Sequence, residues 1–291
     1  MATVKQWVAG ARPRTLPAAV APVLIGSAIA DYEKSFHALI ALCALIVSVS
    51  LQVGVNYAND YSDGIRGTDD VRVGPLRLVG QKLAKPETVR LAAILSFVVA
   101  IVAGLLMTVL SGLWILLPIG LSAVVSAWFY TGGKRPYGYL GFGEVFVFTY
   151  FGLVAVCGTS VSQTGNLTTL SIIAGSSCGL LSMAILVVNN LRDIPSDITA
   201  NKRTLAVRLG DKNTRWLYVI TVVSGIGLSV ALAITGPSLA IFGIFTVAVA
   251  LEPIKSVMLG ASGRNLIPVL AATGRTLLIY SIVVSFGIFN S

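Results

Sequence analysis

The chain has 291 residues, of which 55% are apolar and only 11% are charged, and its mean hydropathy is +0.86. A soluble domain of this length carries about a quarter charged residues, so the composition excludes an ordinary soluble protein. The net charge of +9 would suit a nucleic-acid partner, but the positions of the basic residues give it another explanation.

Hydrophobic runs predict nine membrane-spanning helices. Each run approaches the length of about 20 apolar residues that a helix needs to cross a bilayer, and the runs lack the alternating segments of about ten residues that form β-barrels. In chain order the predicted spans are residues 15–31, 37–58, 89–110, 112–130, 143–162, 169–190, 215–235, 237–256 and 266–289. The sequence therefore predicts an all-α polytopic membrane protein in which residues 1–291 form a single transmembrane domain.

The first span has an alternative interpretation as a secretory signal peptide, because basic residues precede it and small residues end it. Pro17 and Pro22 interrupt the run. Its removal would leave eight spans and put the new N-terminus on the other side of the membrane. We interpret the run as a retained first helix.

The distribution of positive charge predicts the orientation. With nine spans, all but two of the 21 basic residues fall on the side of the N-terminus, since Lys34 lies opposite and Arg275 lies inside the last span. The positive-inside rule then predicts a cytoplasmic N-terminus in a multi-pass protein of the cell (inner) membrane. The basic excess is explained by topology, so we expect no nucleic-acid partner. We also predict no obligate protein partner.

Two long cytoplasmic connections, at about 59–88 and 191–214, begin with the same acidic motif. An Asn-x-x-x-Asp pattern recurs at the ends of the second and sixth spans, and a further carboxylate follows it each time. The matched residues are Asn56, Asp60 and Asp63 in the first motif and Asn189, Asp193 and Asp197 in the second. The repetition suggests a pseudo-symmetric bundle that presents two acidic helix ends to one shared cavity.

The spacing of these carboxylates indicates a cation site. Residues three or four apart share one face of a helix, so the two carboxylates of each motif repel one another and lose hydration near the membrane. Mg²⁺ prefers oxygen ligands and commonly binds one or two carboxylates together with substrate phosphate oxygens. Solvated loop carboxylates would explain one aspartate more simply, but two matching pairs favour Mg²⁺ sites for a diphosphate. Asp69 and Asp70 follow the loop glycines and are equally well explained as solvated charge.

A third cytoplasmic loop, at about 131–142, is rich in glycine and carries Lys134. Glycine lets main-chain N–H groups approach an anion, and lysine or arginine neutralises phosphate charge. We therefore predict that Lys134 and Arg72 bind the diphosphate, although either could serve only to set the topology. Further candidates are Arg77, Arg192 and Lys202.

Three long motifs carry a family resemblance, namely "NYANDYSDGIRGTDD" from residue 56, "YTGGKRPYGYLGFGE" from residue 130 and "NNLRDIPSDITANKRTLAVRLG" from residue 189. With these motifs the chain resembles the UbiA-type intramembrane prenyltransferases over nearly its whole length, and within them the branch that prenylates 1,4-dihydroxy-2-naphthoate. The family pattern N-D-x-x-D-x-x-x-D falls on Asn59, Asp60 and Asp63, but its last position here is Gly67. The naphthoate branch shares this departure and has an aspartate two residues later, here Asp69.

The resemblance implies a bundle of nine helices around a cavity that opens to lipid and is capped by cytoplasmic loops. It implies that a polyprenyl group passes from polyprenyl diphosphate to 1,4-dihydroxy-2-naphthoate with loss of CO₂ and pyrophosphate, a step of menaquinone biosynthesis with Mg²⁺ as cofactor. By this resemblance the metal ligands would be Asp60, Asp63, Asp193 and Asp197. The substrate-binding residues would be Asn56, Asn59, Arg72, Tyr130, Lys134, Asn189 and Lys202, where Tyr130 and Lys134 match the family spacing Y-x-x-x-K.

A membrane transporter is the main alternative from another class, because intramembrane polar residues and pseudo-repeats also mark transport pathways. The acidic pairs gather at one membrane face, however, whereas transporter sites usually lie near the midplane. The CDP-alcohol phosphotransferases also use clustered aspartates and Mg²⁺, but "DGIRGT" at 63–68 does not match their D-G-x-x-A-R pattern. Within the resembled family, another aromatic or a tetrapyrrole acceptor is the alternative.

Overall fold

The structure is a computed structural model that describes residues 2–68 and 76–291. Every regular element among these residues is helical. The main helices are α1 (Val4–Gly10), α2 (Pro17–Tyr32), α3 (Ala38–Ile65), α4 (Pro86–Ser111), α5 (Leu116–Phe129), α6 (Gly143–Thr164), α7 (Thr169–Thr199), α8 (Leu205–Thr235), α9 (Ser238–Met258) and α10 (Gly263–Phe289).

The predicted all-α membrane architecture is confirmed, but not every predicted span has the length of one. Within the described residues, seven helices (α3, α4 and α6 to α10) are long and apolar enough to cross a membrane. The segment Val4–Thr15 meets α2 at an angle of 52°, and this bent pair would make an eighth span. Helix α5 has only 14 residues, or about 21 Å, which is shorter than the roughly 30 Å of a bilayer core. Each of the nine predicted spans is therefore helical, but seven or eight reach spanning length.

Two helices continue past the ends of their predicted spans and carry the acidic motifs with them. Helix α3 extends to Ile65 and α7 to Thr199, while α8 begins at Leu205. Most of the predicted connection 191–214 is therefore helical, as are residues 59–65 at the start of the other. Hydropathy marks where apolar residues stop, whereas the hydrogen-bonded helix continues through polar residues whose helical propensity is only slightly lower.

The buried apolar residues form two clusters. The larger one joins α2 to α6–α10 and includes Leu181 and Tyr280. The smaller one joins α3 and α4 to the loop after α3 through residues such as Leu78 and Phe97. Many large apolar side chains on α4 and α8 are instead exposed on the outside of the bundle. So extensive an apolar surface is unsuited to water and suits a lipid environment.

Helix α6 contains a π-helical segment, Phe148–Val154, that packs closely on α7. A Cβ atom added at Gly152 would overlap the main chain of Gly175 and Gly179, so these glycines allow the two helices to approach one another. The segment also contributes Phe151 to an internal cavity. Such π-helical turns are frequent at functional sites.

Candidate active site

An internal cavity of about 730 Å³ lies among α2, α3, α5, α6 and α7, within the size range of small-molecule sites. Most of its wall is hydrocarbon, from side chains such as Leu51, Ile119, Phe151 and Ile185. The polar part of the wall contains Arg12, Asn56, Asn59, Asp63, Arg77, Tyr130, Tyr139, Asn189, Asn190, Asp193, Asp197 and Lys202. One cavity therefore combines charged groups with an apolar chamber, as a ligand with an anionic head and a hydrocarbon tail requires.

Asp63 is the point where three loops meet the end of α3. Its carboxylate accepts hydrogen bonds from the hydroxyl of Tyr139 and, at 3.2 Å, from Nζ of Lys202. The guanidinium of Arg77 lies 3.6 Å away. Since the Asp63 side chain is only 4% exposed, these basic groups neutralise a charge that water does not reach. The ammonium of Lys202 also lies 4.4 Å from the centre of the Tyr139 ring.

Asp60 is held by the loop after α3. Its two carboxylate oxygens accept hydrogen bonds from the main-chain N–H groups of Leu78 at 2.7 Å and Val79 at 3.0 Å. The residue is 1% exposed and is not part of the cavity wall. The structure therefore separates Asp60 from Asp63, although both were predicted to hold metal. For Asp60 the contacts indicate a role in fixing the loop.

The two asparagines of the first motif line the cavity and connect α3 to other segments. The Asn56 amide donates a hydrogen bond to the main-chain oxygen of Ala11 at 2.9 Å. The side-chain oxygen of Asn59 accepts one from the hydroxyl of Thr131 at 2.7 Å. These contacts fix the end of α3 against the N-terminal segment and the glycine-rich loop.

At the end of α7, Arg192 binds the oxygen atoms of the second motif. Its Nε and Nη2 atoms donate to the two carboxylate oxygens of Asp193 at 2.7 and 2.8 Å. Nη2 also donates to the side-chain oxygen of Asn189 at 2.9 Å. One guanidinium thus contacts three oxygen atoms, and Asp193 and Asn189 both line the cavity.

The second carboxylate of this motif, Asp197, also lines the cavity. It accepts a hydrogen bond from the hydroxyl of Thr204 at 3.4 Å. About two turns earlier on α7, the Asn190 amide donates to the buried carboxyl of Glu144 at 2.9 Å. This contact fixes the Asn190 side chain at the cavity wall.

The glycine-rich loop presents Tyr130 and Tyr139 to the cavity, whereas Lys134 is exposed and is not part of the wall. Burial raises the pKa of both phenols, and the nearby Asp63 raises that of Tyr139 further. Both hydroxyl groups therefore keep their protons and can act as donors. Of the predicted pair with Y-x-x-x-K spacing, Tyr130 lies at the cavity and Lys134 does not.

Arg66, just after α3, shapes the same loop. Its guanidinium donates to the main-chain oxygens of Thr131 and Gly133. It also lies 5.5 Å from the centre of the Tyr139 ring. These contacts orient the tyrosine whose hydroxyl binds Asp63. Arg72, Asp69 and Asp70, which also had predicted or open roles, lie outside the described residues.

The oxygen donors at the polar end fit a hard divalent cation, because carboxylate and amide oxygens are the ligands that Mg²⁺ takes in proteins. In the part of the chain that the structure describes, no three acidic, thiol or imidazole groups are close enough to form a metal centre. The Asp63 carboxylate instead pairs with Lys202 and Arg77, and that of Asp193 pairs with Arg192. A bound cation would take over charge that basic side chains balance here.

Sequence reasoning missed Tyr139 and Asn190. The "PYGY" turn of residues 136–139 brings Tyr139 to Asp63, and no pattern in the sequence reveals which tyrosine the turn directs inward. Asn190 directly follows Asn189, so its presence in the motif was visible. Its contact with Glu144 depends on the packing of α6 against α7.

Comparison with known proteins gives one matching family model and several curated relatives. The model of the UbiA prenyltransferase family matches residues 19–265. A 1,4-dihydroxy-2-naphthoate octaprenyltransferase of Mycobacterium leprae is 48% identical over 285 residues, which cover 98% of this chain and 96% of that protein. One of Escherichia coli is 39% identical over 216 residues, covering 72% of this chain and 70% of that protein.

Solved structures share the fold. A UbiA homolog from Archaeoglobus fulgidus bound to GPP and Mg²⁺ has a TM-score of 0.71 at 12% identity, covering 98% of this chain and 100% of that one. The apo structure of a UbiA homolog from Aeropyrum pernix K1 also has a TM-score of 0.71, at 15% identity, and covers 100% of this chain and 99% of that one. At these identities the likeness concerns the fold alone.

Proposed function

The chain belongs to the UbiA prenyltransferase family, and we propose that it transfers a polyprenyl group from polyprenyl diphosphate to 1,4-dihydroxy-2-naphthoate. CO₂ and pyrophosphate leave, and the product is demethylmenaquinol, a precursor in menaquinone biosynthesis. The observation that carries this proposal is the single cavity, in which clustered aspartates and basic groups open onto a hydrocarbon chamber. The naphthoate relatives support the choice of acceptor.

The apolar chamber suits the prenyl tail. Each isoprene unit is hydrocarbon, and its burial is favourable by about 0.8 kcal/mol per CH₂ equivalent. Leu51, Ile119 and Phe151 are among the side chains that would contact it. A substrate and a product with such a tail both reside in lipid, which explains why the enzyme is a multi-pass membrane protein.

The polar end suits the diphosphate. Lys202 and Arg77 supply positive charge, and the protonated hydroxyl groups of Tyr139 and Tyr130 supply hydrogen-bond donors. Asn56, Asn59 and Asn189 contribute neutral amides to the same wall. Lys134 is exposed and would have to reach the diphosphate from the glycine-rich loop, and Arg72 stays a candidate on the sequence alone.

Asp63, Asp193 and Asp197 are the carboxylates that would hold Mg²⁺, because all three line the cavity. When bound, Mg²⁺ supplies positive charge against the negative charge that develops on the pyrophosphate leaving group. Asp60, whose oxygens bind the loop after α3, would hold Arg77 and its loop in position.

The reaction needs charge stabilisation and a dry chamber more than it needs a nucleophilic side chain. The allylic C–O bond breaks and its electron pair leaves with pyrophosphate, whose charge Lys202 and Arg77 help to stabilise. The chamber wall excludes water that would quench the allylic cation. The naphthoate carbon that bears the carboxylate then forms the new C–C bond. When CO₂ departs, the electron pair of the broken C–C bond restores the aromatic ring.

Orientation and location follow as parts of the same proposal. The basic residues support a cytoplasmic N-terminus and an active site that faces the cytoplasm, in the cell (inner) membrane. The whole chain would form one catalytic domain, since helices from both halves of the sequence line the cavity.

The function is tested with the purified protein in detergent, supplied with Mg²⁺, a labelled polyprenyl diphosphate and naphthoate. We expect a prenylated quinol and released CO₂ in equal amounts, and no turnover after EDTA removes the cation. A hydroxybenzoate offered in parallel tests the acceptor, because preferential prenylation of the benzoate would overturn the naphthoate assignment. Uptake of a solute into liposomes without a prenylated product would favour a transporter instead.

A further inference from the structure

The contact between Arg192 and Asp193 differs from the other buried ion pairs near the cavity. Both residues are on α7 and adjacent in sequence, and they are 5% and 3% exposed. Neighbouring residues on a helix point in different directions, so the arginine side chain must fold back to bind both oxygens of Asp193. The same guanidinium binds the side-chain oxygen of Asn189. It therefore occupies a carboxylate and an amide oxygen that a cation would use.

The described hydrogen bonds of Arg192 do not connect separate parts of the fold. Arg215, by contrast, donates to the main-chain oxygens of Val257 and Ala261 and so joins α8 to the end of α9. All the described partners of Arg192 lie on its own helix. These hydrogen bonds therefore balance charge on α7 and do not join it to another element.

The location of Arg192 allows such an exchange. A second, outer pocket of about 950 Å³ lies beyond the polar end and is lined by Arg66, Arg192, Asp193 and Asn201. Asp193 lines both this pocket and the internal cavity, whereas Arg192 lines only the outer one. The arginine side chain can thus leave Asp193 on the outer side without entering the hydrocarbon chamber.

We propose that Arg192 is an exchangeable counter-ion, which occupies Asp193 and Asn189 until a divalent cation binds. It then turns to phosphate oxygens of the diphosphate beside Asp193, at the wall that the outer pocket shares with the internal cavity. The inference rests on the proposed function, which supplies the cation and the diphosphate. It assigns to Arg192 two successive partners, a carboxylate and then a phosphate. The exchange keeps charge balanced at each stage, because the cation neutralises Asp193 as the guanidinium leaves it.

The test measures Mn²⁺ binding by the full-length protein in detergent, from the electron paramagnetic resonance signal of free Mn²⁺. Without pyrophosphate, Arg192→Gln should bind Mn²⁺ about tenfold more tightly than the wild type, because the strong bidentate competitor is gone. Arg192→Lys keeps the charge but cannot bind both oxygens in the same way, and should bind about threefold more tightly. If Arg192→Gln fails to fold, the Lys variant decides the question.

Arg264→Gln is the control for the loss of one positive charge, since Arg264 is exposed and directly follows Gly263, which lines the same outer pocket. Its affinity for Mn²⁺ should stay within about twofold of the wild type, because it frees no carboxylate. An equal gain in Arg264→Gln would show a general effect of charge and overturn the exchange. Unchanged or weaker Mn²⁺ binding by both Arg192 variants would also overturn it.

The second half of the exchange is tested with inorganic pyrophosphate at saturating Mn²⁺. Arg192→Gln should bind pyrophosphate about tenfold more weakly than the wild type, because it has lost a phosphate partner. If this variant binds pyrophosphate as tightly as the wild type, the proposed contact between Arg192 and phosphate is refuted. Prenyl transfer by the wild type is assayed in parallel. If transfer is absent but the Arg192 variants bind Mn²⁺ more tightly as expected, the proposed function alone is refuted. Transfer without those effects would refute the exchange alone.

Discussion

The acidic ends of α3 and α7 carry the same residue types, but different parts of the chain hold them. At the end of α3, Asp63 is bound by Tyr139 and Lys202, which come from two other loops. At the end of α7, Asp193 is bound by the adjacent Arg192. Among the described contacts, Asp63 of the first end is therefore held by residues of other segments, whereas Asp193 of the second is held by a residue of its own helix. The geometry of the first should therefore depend more strongly on changes elsewhere in the chain.

The comparison also changes the register of the repeat. The sequence aligns Asp60 with Asp193, but the residue that shares the cavity wall with Asp193 is Asp63. Asn59-x-x-x-Asp63 fits the same pattern as Asn189-x-x-x-Asp193, so two registers exist in the first motif. The cavity uses the later one.

The largest effects are expected from Asp63→Asn and Asp193→Asn, which test whether both ends serve one reaction. Each should slow prenyl transfer about 10²- to 10³-fold, the usual loss when one charge-stabilising group leaves an active site. The amide keeps the shape of the side chain but loses the charge that balances a divalent cation. Initial rates at saturating Mg²⁺, on variants purified in equal yield, measure the effect.

Asp31→Asn is the control for these variants, because Asp31 lies at the far end of α2 and outside the cavity wall. It should keep the wild-type rate. A wild-type rate in either Asp63→Asn or Asp193→Asn would break the comparison, since one acidic end would then be dispensable.

Asp60→Asn should act chiefly on stability. The carboxylate accepts two main-chain hydrogen bonds from the loop after α3. An asparagine side chain can accept only one of them, because its NH₂ group would face the second main-chain N–H donor. We expect a loss of about 2 kcal/mol, typical of a hydrogen bond to a charged group, measured as a lower midpoint of thermal unfolding in detergent. If Asp60→Asn is as stable as the wild type but loses as much activity as Asp63→Asn, then Asp60 is a metal ligand.

Lys202→Met tests the contact that joins the two acidic ends, because Lys202 follows α7 in sequence but binds the carboxylate of α3. We expect KM for polyprenyl diphosphate to rise about tenfold, or about 1.4 kcal/mol, as a phosphate-facing charge is lost. Lys202→Arg keeps the charge and should show a smaller rise. An unchanged KM in the methionine variant would mean that Lys202 serves only to neutralise Asp63.

Tyr139→Phe should give the smallest effect, because Lys202 and Arg77 still hold the Asp63 carboxylate when the hydroxyl is lost. We expect kcat/KM to fall about fivefold, which corresponds to about 1 kcal/mol. Burial and the nearby Asp63 raise the pKa of Tyr139, so its phenol keeps its proton well above the usual range. The pH–rate profiles of wild type and variant should therefore be parallel between about pH 6 and 9. An alkaline fall in the wild type that disappears in Tyr139→Phe would contradict this reasoning.

The sequence by itself determined the helical membrane architecture and the residues of the two motifs. Long apolar runs can cross a bilayer only as helices, so composition and periodicity were sufficient. Two carboxylates on one helix face, repeated at a second helix end, predicted a charged site, and Asp63, Asp193 and Asp197 do line one cavity. Helix length was less accessible, because hydropathy ends with the bilayer whereas α3 and α7 continue beyond it.

Only the tertiary structure decided which of these residues meet. Asp60 and Asp63 are three residues apart, or about 60° around a helix, so periodicity does not separate the side that faces the loop from the side that faces the cavity. The same holds for the glycine-rich loop, where the turn after Pro136 brings Tyr139 inward and leaves Lys134 exposed. The spacing of residues along the chain determines the direction in which a side chain leaves its own helix. The partner in that direction is set by how distant elements pack.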